Sequence, residues 1–206
     1  MVKNAADYTN AGAGLQVQGK MEEAIADYQA ALKINPQQVE ALSNLGILYY
    51  SLGKTKKALR FFKQAIVADP SYTDAYYNLG LIAKNSGNFQ KASQYFLQVI
   101  EINPDYVQAY NNLALMQVEL GKLEEAVLTF RKALEVNPKF LQAYNNLGNL
   151  FKKQGKLKEA VTCYEKALLQ NPEYEEVWEN LGAVLGELNK KKKTVTSSKK
   201  AKLKSP

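Results

Sequence analysis

Apolar residues recur at helical spacing along this chain, and residues 141–174 show the pattern most clearly. Tyr144, Leu147 and Phe151 fall three and four residues apart, so they form one buried stripe on a helix. A second apolar stripe of the same kind begins after Gly155. The pattern therefore predicts two short helices joined by a tight turn at the glycine.

This helix pair is repeated along the chain. The prolines that close the pairs, each 34 residues from the next, are Pro36, Pro70, Pro104, Pro138 and Pro172. A fixed period of this length, filled by two amphipathic helices, predicts a solenoid of stacked helix pairs. The predicted units are 5–38, 39–72, 73–106, 107–140 and 141–174, followed by a closing helix at 175–189.

Small residues occupy the eighth position of the first helix, counted from the start of each unit. They are Gly12, Gly46, Gly80, Ala114, Gly148 and Gly182. Glycine inside a helix costs about 1 kcal/mol relative to alanine, so its recurrence predicts a closely approaching second helix. The neighbour we expect there is an alanine of that helix: Ala24, Ala58, Ala92, Ala126 or Ala160. The glycines between the helices predict left-handed caps.

These positions resemble the signature of the tetratricopeptide repeat, across residues 5–189. The resemblance implies an all-α fold, a right-handed superhelical α-solenoid of antiparallel helix pairs. It also implies that the first helix of each pair lines a concave groove.

The amino-acid composition argues against a catalytic function for this chain. It contains no histidine and a single cysteine, Cys163, so the usual metal ligands, a Cys–His couple and an internal disulfide are missing. We therefore expect no catalysis, no metal and no cofactor. One thiol fits a reducing compartment, and no stretch reads as a signal peptide or a membrane span. The expectation is a soluble, cytoplasmic protein.

The positive charge is concentrated at the end of the sequence. The net charge is +7, but eight lysines and no acid follow from Lys190 onward. We predict that residues 190–206 form a disordered, lysine-rich tail. Its lysines could bind an anionic partner or serve in nuclear import. The first four are Lys190, Lys191, Lys192 and Lys193.

The sixth position of every unit is asparagine: Asn10, Asn44, Asn78, Asn112, Asn146 and Asn180. The resemblance implies that this position faces the groove, where a carboxamide can pair with both the N–H and the C=O of a peptide backbone. Such an asparagine ladder is similar to the one in the tetratricopeptide region of O-GlcNAc transferases. Nearby positions expected to line the groove are Tyr77, Asn111, Asn145 and Asn149.

A clamp for carboxylates is missing from this groove. Chaperone-type members of the family hold a C-terminal carboxylate with lysine and arginine at positions two and six of one repeat. Here those positions carry Asp74 and Asn78, or Gln108 and Asn112. Binding of acidic chaperone tails is therefore disfavoured.

The function that these features favour is a non-catalytic, monomeric scaffold that binds an extended segment of a partner protein through the asparagine ladder. One alternative is a substrate-recruiting or regulatory part of a larger enzyme, such as an O-GlcNAc-transferase-like glycosyltransferase. A second alternative is a scaffold that binds RNA or a membrane weakly through the basic tail.

Overall fold

A computed structural model describes residues 3–202 of the chain and the side chains of residues 3–191. Within those residues every regular element is a helix, as the sequence predicted. The helices are α1 (Ala5–Val17), α2 (Met21–Ile34), α3 (Val39–Ser51), α4 (Thr55–Ala68), α5 (Thr73–Asn85), α6 (Phe89–Ile102), α7 (Val107–Glu119), α8 (Leu123–Val136), α9 (Leu141–Lys153), α10 (Leu157–Gln170) and α11 (Glu175–Lys202).

Contacts divide the chain into two compact units, one up to Ala109 and one from Tyr110, so the boundary falls inside α7. In the first unit α1 packs on α2, α3 on α4 and α5 on α6, while α2 and α4 also contact the next pair. In the second unit α9 packs on α10, and α10 also packs on α11. The helix-pair solenoid is therefore confirmed within each unit.

Within each unit, the first helices of successive pairs lie side by side in a layer. Helix α3 contacts both α1 and α5 in the first unit, and α11 contacts α9 in the second. Hydrogen bonds also cross this layer: Nδ2 of Asn85 on α5 donates to the hydroxyl oxygen of Tyr50 on α3 at 2.7 Å. Side chains on this layer are thus brought together from successive repeats.

Glycine ends the first helix of each pair in the left-handed conformation that the sequence predicted. Gly155 has a φ of 72°. Its N–H donates to the carbonyl of Lys152 at 2.9 Å, and the N–H of Lys156 donates to that of Phe151 at 2.9 Å. These bonds satisfy carbonyls that the helix end would leave unpaired. The other glycines with positive φ are Gly19, Gly53, Gly87 and Gly121.

The residue before each proline has a second role that the sequence analysis missed. Asn171 is extended, with φ −137° and ψ 93°, because the following Pro172 disfavours a helical conformation there. Its Oδ1 also accepts a hydrogen bond from the N–H of Glu173 at 3.1 Å, which turns the chain toward the next helix. Equivalent turns occur at Asn35, Asp69, Asn103 and Asn137.

An aromatic ring of the second helix lies on the glycine of the first. A Cβ atom added to Gly148 would lie 2.5 Å from Cε1 of Tyr164, and one added to Gly80 would lie 2.6 Å from Cε1 of Phe96. This corrects the expectation that an alanine fills the space: at Gly12 the carbonyl oxygen of Ala24 is near, but the ring of Tyr28 is nearer. The alanines are fully buried beside these rings.

The closing helix is longer than predicted. Helix α11 runs from Glu175 to Lys202, whereas the sequence predicted disorder from residue 190. Nζ of Lys191 lies 3.2 Å from Oε1 of Glu187, one helical turn away, and such pairs support a helix. Lysine is also a good helix former, and neither proline nor glycine interrupts this stretch. The residues after Lys202 lie outside the described part of the chain.

Gly12 and Gly14 of α1 allow the effect of close packing on stability to be measured separately from the effect of helix propensity. A Cβ atom at Gly12 would lie 2.8 Å from the ring of Tyr28, whereas one at Gly14 would meet nothing within 4 Å. We expect Gly12→Ala to destabilise the protein by about 1–3 kcal/mol through overpacking. The matched change Gly14→Ala should stabilise it by about 0.5–1 kcal/mol.

Urea unfolding, combined with amide hydrogen exchange of α1 and α2, measures both effects. If the two variants shift the unfolding midpoint in the same direction, the ring on Gly12 does not determine how this helix pair packs.

Candidate functional site

The sixth-position asparagines lie on the first helices, but their exposure differs. Asn10 is exposed, and Asn112 is buried with 7% of its surface accessible. The remaining four, Asn44, Asn78, Asn146 and Asn180, are half-buried. The structure therefore places these residues on the first helices of each unit without making them equivalent.

In the second unit, two of these asparagines bond to the preceding repeat in the same way. Nδ2 of Asn146 donates to Oδ1 of Asn111 at 2.9 Å, and Nδ2 of Asn180 donates to Oδ1 of Asn145 at 3.1 Å. In each case position six meets position five of the repeat before it. The carboxamides are thus held in a fixed orientation by hydrogen bonds between repeats.

Asn145 joins two helices at once. It accepts from Asn180 and also donates through Nδ2 to Oε1 of Glu176 at 2.8 Å, while only 3% of its surface is exposed. Asn111 is similarly buried at 9%. The sequence predicted both residues to line the groove, and in the structure both are buried and hold the half-buried Asn146 and Asn180 through hydrogen bonds.

The orientation of Asn146 and Asn180 leaves polar atoms available. One N–H of each carboxamide is used by the bond to the preceding repeat. These bonds use neither Oδ1 atom of the two side chains. Each residue therefore retains an acceptor and a second N–H, the two groups that a peptide unit complements.

In the first unit, the corresponding asparagines have other partners. The hydroxyl of Tyr28, whose pKa is raised by burial, lies near the side chain of Asn44 and donates to Oε1 of Gln16 at 2.9 Å. Nδ2 of Asn78 donates to the backbone carbonyl of Asp74 at 2.8 Å, one turn earlier on its own helix. Because position five is Thr9 or Ser43 in the preceding repeats, the asparagine pair of the second unit is not formed here.

Tyr77 occupies position five of the third repeat and belongs to an aromatic cluster. Its ring centroid lies 5.0 Å from that of Tyr106 and 5.7 Å from that of Phe96. Burial raises the pKa of Tyr106 to about 12, and the negative charge of Asp74 adds to the shift. This part of the predicted groove is thus a packed aromatic surface with the acidic residue Asp74 beside it.

Asn149, the last residue predicted to line the groove, is half-buried and accepts a hydrogen bond from the hydroxyl of Tyr164 at 2.7 Å. Among the lysines proposed for anionic partners, Lys190 and Lys191 are exposed, and Lys191 pairs with Glu187. The side chains of Lys192 and Lys193 lie outside the described part of the structure.

The described residues offer few groups for catalysis. No cluster of three or more His, Cys, Asp or Glu that could hold a metal ion occurs among them. Cys163 is buried, and burial raises the pKa of its thiol to about 11, so the reactive thiolate is disfavoured. No helix in residues 3–202 has the length and apolar character needed to cross a membrane.

Comparison with known proteins identifies the family. Models described as TPR repeat match residues 17–53, 46–87 and 115–155. Models described as tetratricopeptide repeat match residues 73–106, 141–174 and 95–127. The chain belongs to the tetratricopeptide repeat family, whose members mediate protein–protein interactions and are generally non-catalytic scaffolds.

Solved structures show the same fold. A crystal structure of MamA is 28% identical, with a TM-score of 0.70 over 84% of this chain and 94% of that one. YrrB, described as a TPR protein with an unusual peptide-binding site, is 23% identical, with a TM-score of 0.69 over 85% and 91%. PilF of Pseudomonas aeruginosa is 18% identical, with a TM-score of 0.74 over 90% of each chain. A search of curated proteins returned no match.

A substitution tests whether the hydrogen bonds of the buried Asn145 carboxamide stabilise the packing of α9 on α11. We expect Asn145→Ala to destabilise this junction by about 1–3 kcal/mol, because it leaves Asn180 and Glu176 without their partner. Amide hydrogen exchange of α11 measures the loss. Gln142→Ala, at an exposed position of the same helix, is the control. Equal protection in both variants would contradict this role.

The raised pKa of Tyr106 predicts a pH dependence. Above pH 10 the unfolded state ionises this tyrosine, while the folded state keeps it neutral until about pH 12. Stability from this group is therefore complete below pH 10 and is lost between pH 10 and 12. We expect the urea midpoint to fall from pH 9 to pH 11, and to fall less in Tyr106→Phe. An identical fall in both proteins would exclude Tyr106 as a source.

Proposed function

We propose that the second unit binds an extended segment of a partner protein and that Asn146 and Asn180 hold its backbone. The observation that carries this proposal is the pair of equivalent bonds to Asn111 and Asn145. These bonds fix both carboxamides before a ligand arrives. Fixing a binding group in advance lowers the conformational entropy lost on association.

The remaining polar groups match a peptide backbone. The Oδ1 atom of each asparagine can accept a backbone N–H, and the second N–H of Nδ2 can donate to a backbone carbonyl. Packed helices lie about 8–10 Å apart, and an extended chain advances about 3.3 Å per residue. One asparagine would therefore engage the ligand about every three residues.

The surroundings favour contact with the backbone over recognition of charge. Asn149 and Leu115 are half-buried neighbours on first helices of the same unit, and Gln142 is exposed. Acidic groups occur on α11, where Glu176 is bonded to Asn145 and Glu179 is exposed. A mostly neutral segment with small or apolar side chains fits this surface best. Binding requires no chemical step, so the proposed role is that of a non-catalytic scaffold.

The asparagines of the first unit are held by different contacts from one another, so their expected role in binding is smaller. Asn44 is half-buried near Tyr28, Asn78 bonds a backbone carbonyl of its own helix, and Asn10 is exposed. These residues could contact a ligand, but they are not oriented by one repeated interaction. The proposal therefore assigns the backbone contacts to Asn146 and Asn180 first.

A peptide selected from a random display library against the full chain provides the probe. We expect Asn146→Ala combined with Asn180→Ala to weaken its binding by about tenfold or more, since two hydrogen bonds of about 0.5–1.5 kcal/mol each are removed. N-methylation of single peptide N–H groups should cause a similar loss at the contacting positions. Calorimetric titration measures both effects.

Asn189→Ala, an exposed substitution on α11, is the matched control and should bind as the wild type does. Unchanged affinity in the double variant would contradict backbone recognition by these asparagines. In that outcome the family's general role in protein–protein interaction would stand, and its site would lie elsewhere.

A further inference from the structure

Helix α11 has two apolar faces, and the described structure covers one of them. Val177 and Val184 are fully buried against the preceding helices, and Leu181 is 6% exposed. On the neighbouring stripe, Trp178 is 54% exposed and Leu185 is 43% exposed. Two large apolar side chains seven residues apart lie on the same face of a helix, two turns from each other, and form an exposed stripe.

The equivalent stripe of α9 shows what this surface looks like when it is covered. Gly148 is buried and Phe151 is 6% exposed, because α10 packs over them. The ring of Tyr164 lies so close to Gly148 that an added Cβ would be 2.5 Å away. At Gly182, the equivalent glycine of α11, an added Cβ would meet nothing within 4 Å.

Four helix pairs of this chain define the partner that such a stripe accepts. In each of them the glycine of the first helix lies under a Tyr or Phe ring of the second. The pairs are Gly12 with Tyr28, Gly46 with Phe62, Gly80 with Phe96, and Gly148 with Tyr164. The residues after the stripe continue α11 as far as Lys202, so they do not fold back to supply a second helix.

We propose that the stripe formed by Trp178, Gly182 and Leu185 docks an amphipathic helix from a partner protein. The docked helix places a Tyr or Phe ring on Gly182, with alanine four residues before that ring. Ala160 and Tyr164 of α10 have this spacing, and both are fully buried against α9. Docking completes the last repeat by the same contact that completes the others.

Charge adds a requirement for the partner helix. Glu175 and Glu179 are exposed and border the stripe by helical spacing. On the covered pair, Nζ of Lys166 lies 5.9 Å from the ring centroid of Tyr144, which occupies the same position as Trp178. A basic residue two positions after the aromatic ring would therefore lie over Trp178 and near the two glutamates.

A second copy of α11 fits this surface less well than a ring-bearing helix. Nε1 of Trp178 donates to the carbonyl of Pro172 at 2.7 Å, which holds the indole toward the start of α11 and leaves Gly182 uncovered. Two α11 helices packed through this stripe would also place two acidic surfaces against each other, since residues 175–189 contain four glutamates and no basic residue. Like charges in contact are destabilising.

The single tryptophan of the chain lies on the proposed surface, so its fluorescence reports docking directly. The probe is a synthetic peptide of residues 156–171 with Cys163→Ser, which carries the α10 pattern and no tryptophan. We expect a saturable blue shift of the Trp178 emission when the full chain is titrated with it. A peptide with Tyr164→Ala should bind at least about tenfold more weakly.

Two variants of the protein locate the site. Gly182→Leu fills the open position, where an added Cβ meets nothing within 4 Å, and it should abolish the shift while circular dichroism stays unchanged. Leu185→Glu is the second variant and should have the same effect. Ala183→Leu adds the same side chain at an exposed position beside the stripe and should leave binding intact.

The outcomes separate this proposal from its competitors. A shift that persists in Gly182→Leu, as exchange of the peptide with α10 would produce, overturns the docking surface, as does no shift at all. A blue shift that depends on protein concentration alone, with dimers in sedimentation, assigns the stripe to a second copy and also overturns it. Binding that is unchanged in Asn146→Ala/Asn180→Ala would show that this surface acts independently of the asparagine face.

Discussion

The contact between an aromatic ring and a glycine determines how four helix pairs of this protein pack. The space above Gly46 is filled by the ring of Phe62, and the space above Gly148 by the ring of Tyr164. Burying a ring of this size stabilises the pair by about 1.5–3 kcal/mol, which exceeds the cost of about 1 kcal/mol for glycine inside a helix. The glycine is therefore retained because the ring needs its space.

The same packing rule makes one residue of the repeat available for binding. Once rings and small residues hold the pairs together, the sixth-position carboxamide is not needed in the core. Its environment then depends on position five of the preceding repeat. Where that residue is Asn111 or Asn145, the carboxamide is fixed between two repeats. Where it is Thr9 or Ser43, other contacts take over, so a regular sequence produces an irregular surface.

The helices, their order and the turns were predictable from the sequence. Each depends on residues close together in the chain, such as the glycine caps, and the 34-residue period repeats the same pattern. The neighbour of Gly12 was not predictable in the same way. Ala24 and Tyr28 are both buried on one helix face, and only the packed structure shows which of them fills the space. The partners of the asparagines were missed because those bonds join residues from different repeats.

The end of α11 was missed for a different reason. Low hydrophobicity and high charge after Lys190 indicate that the segment cannot form a core, but they do not prevent a helix that starts in a packed region from continuing. The helix propensity of lysine and the pair between Glu187 and Lys191 support that continuation. The right-handed superhelix, in contrast, remains a prediction from the family resemblance.

The sequence separation of residues that bond between repeats also affects the folding rate of the chain. Tyr50 and Asn85, Asn111 and Asn146, and Asn145 and Asn180 are each separated by 35 residues in the sequence. Contacts of such short range close small loops, which costs little chain entropy and favours fast folding. Structure can therefore nucleate at any of several places and spread to neighbouring repeats. The terminal repeats can therefore unfold locally while the remaining repeats stay folded.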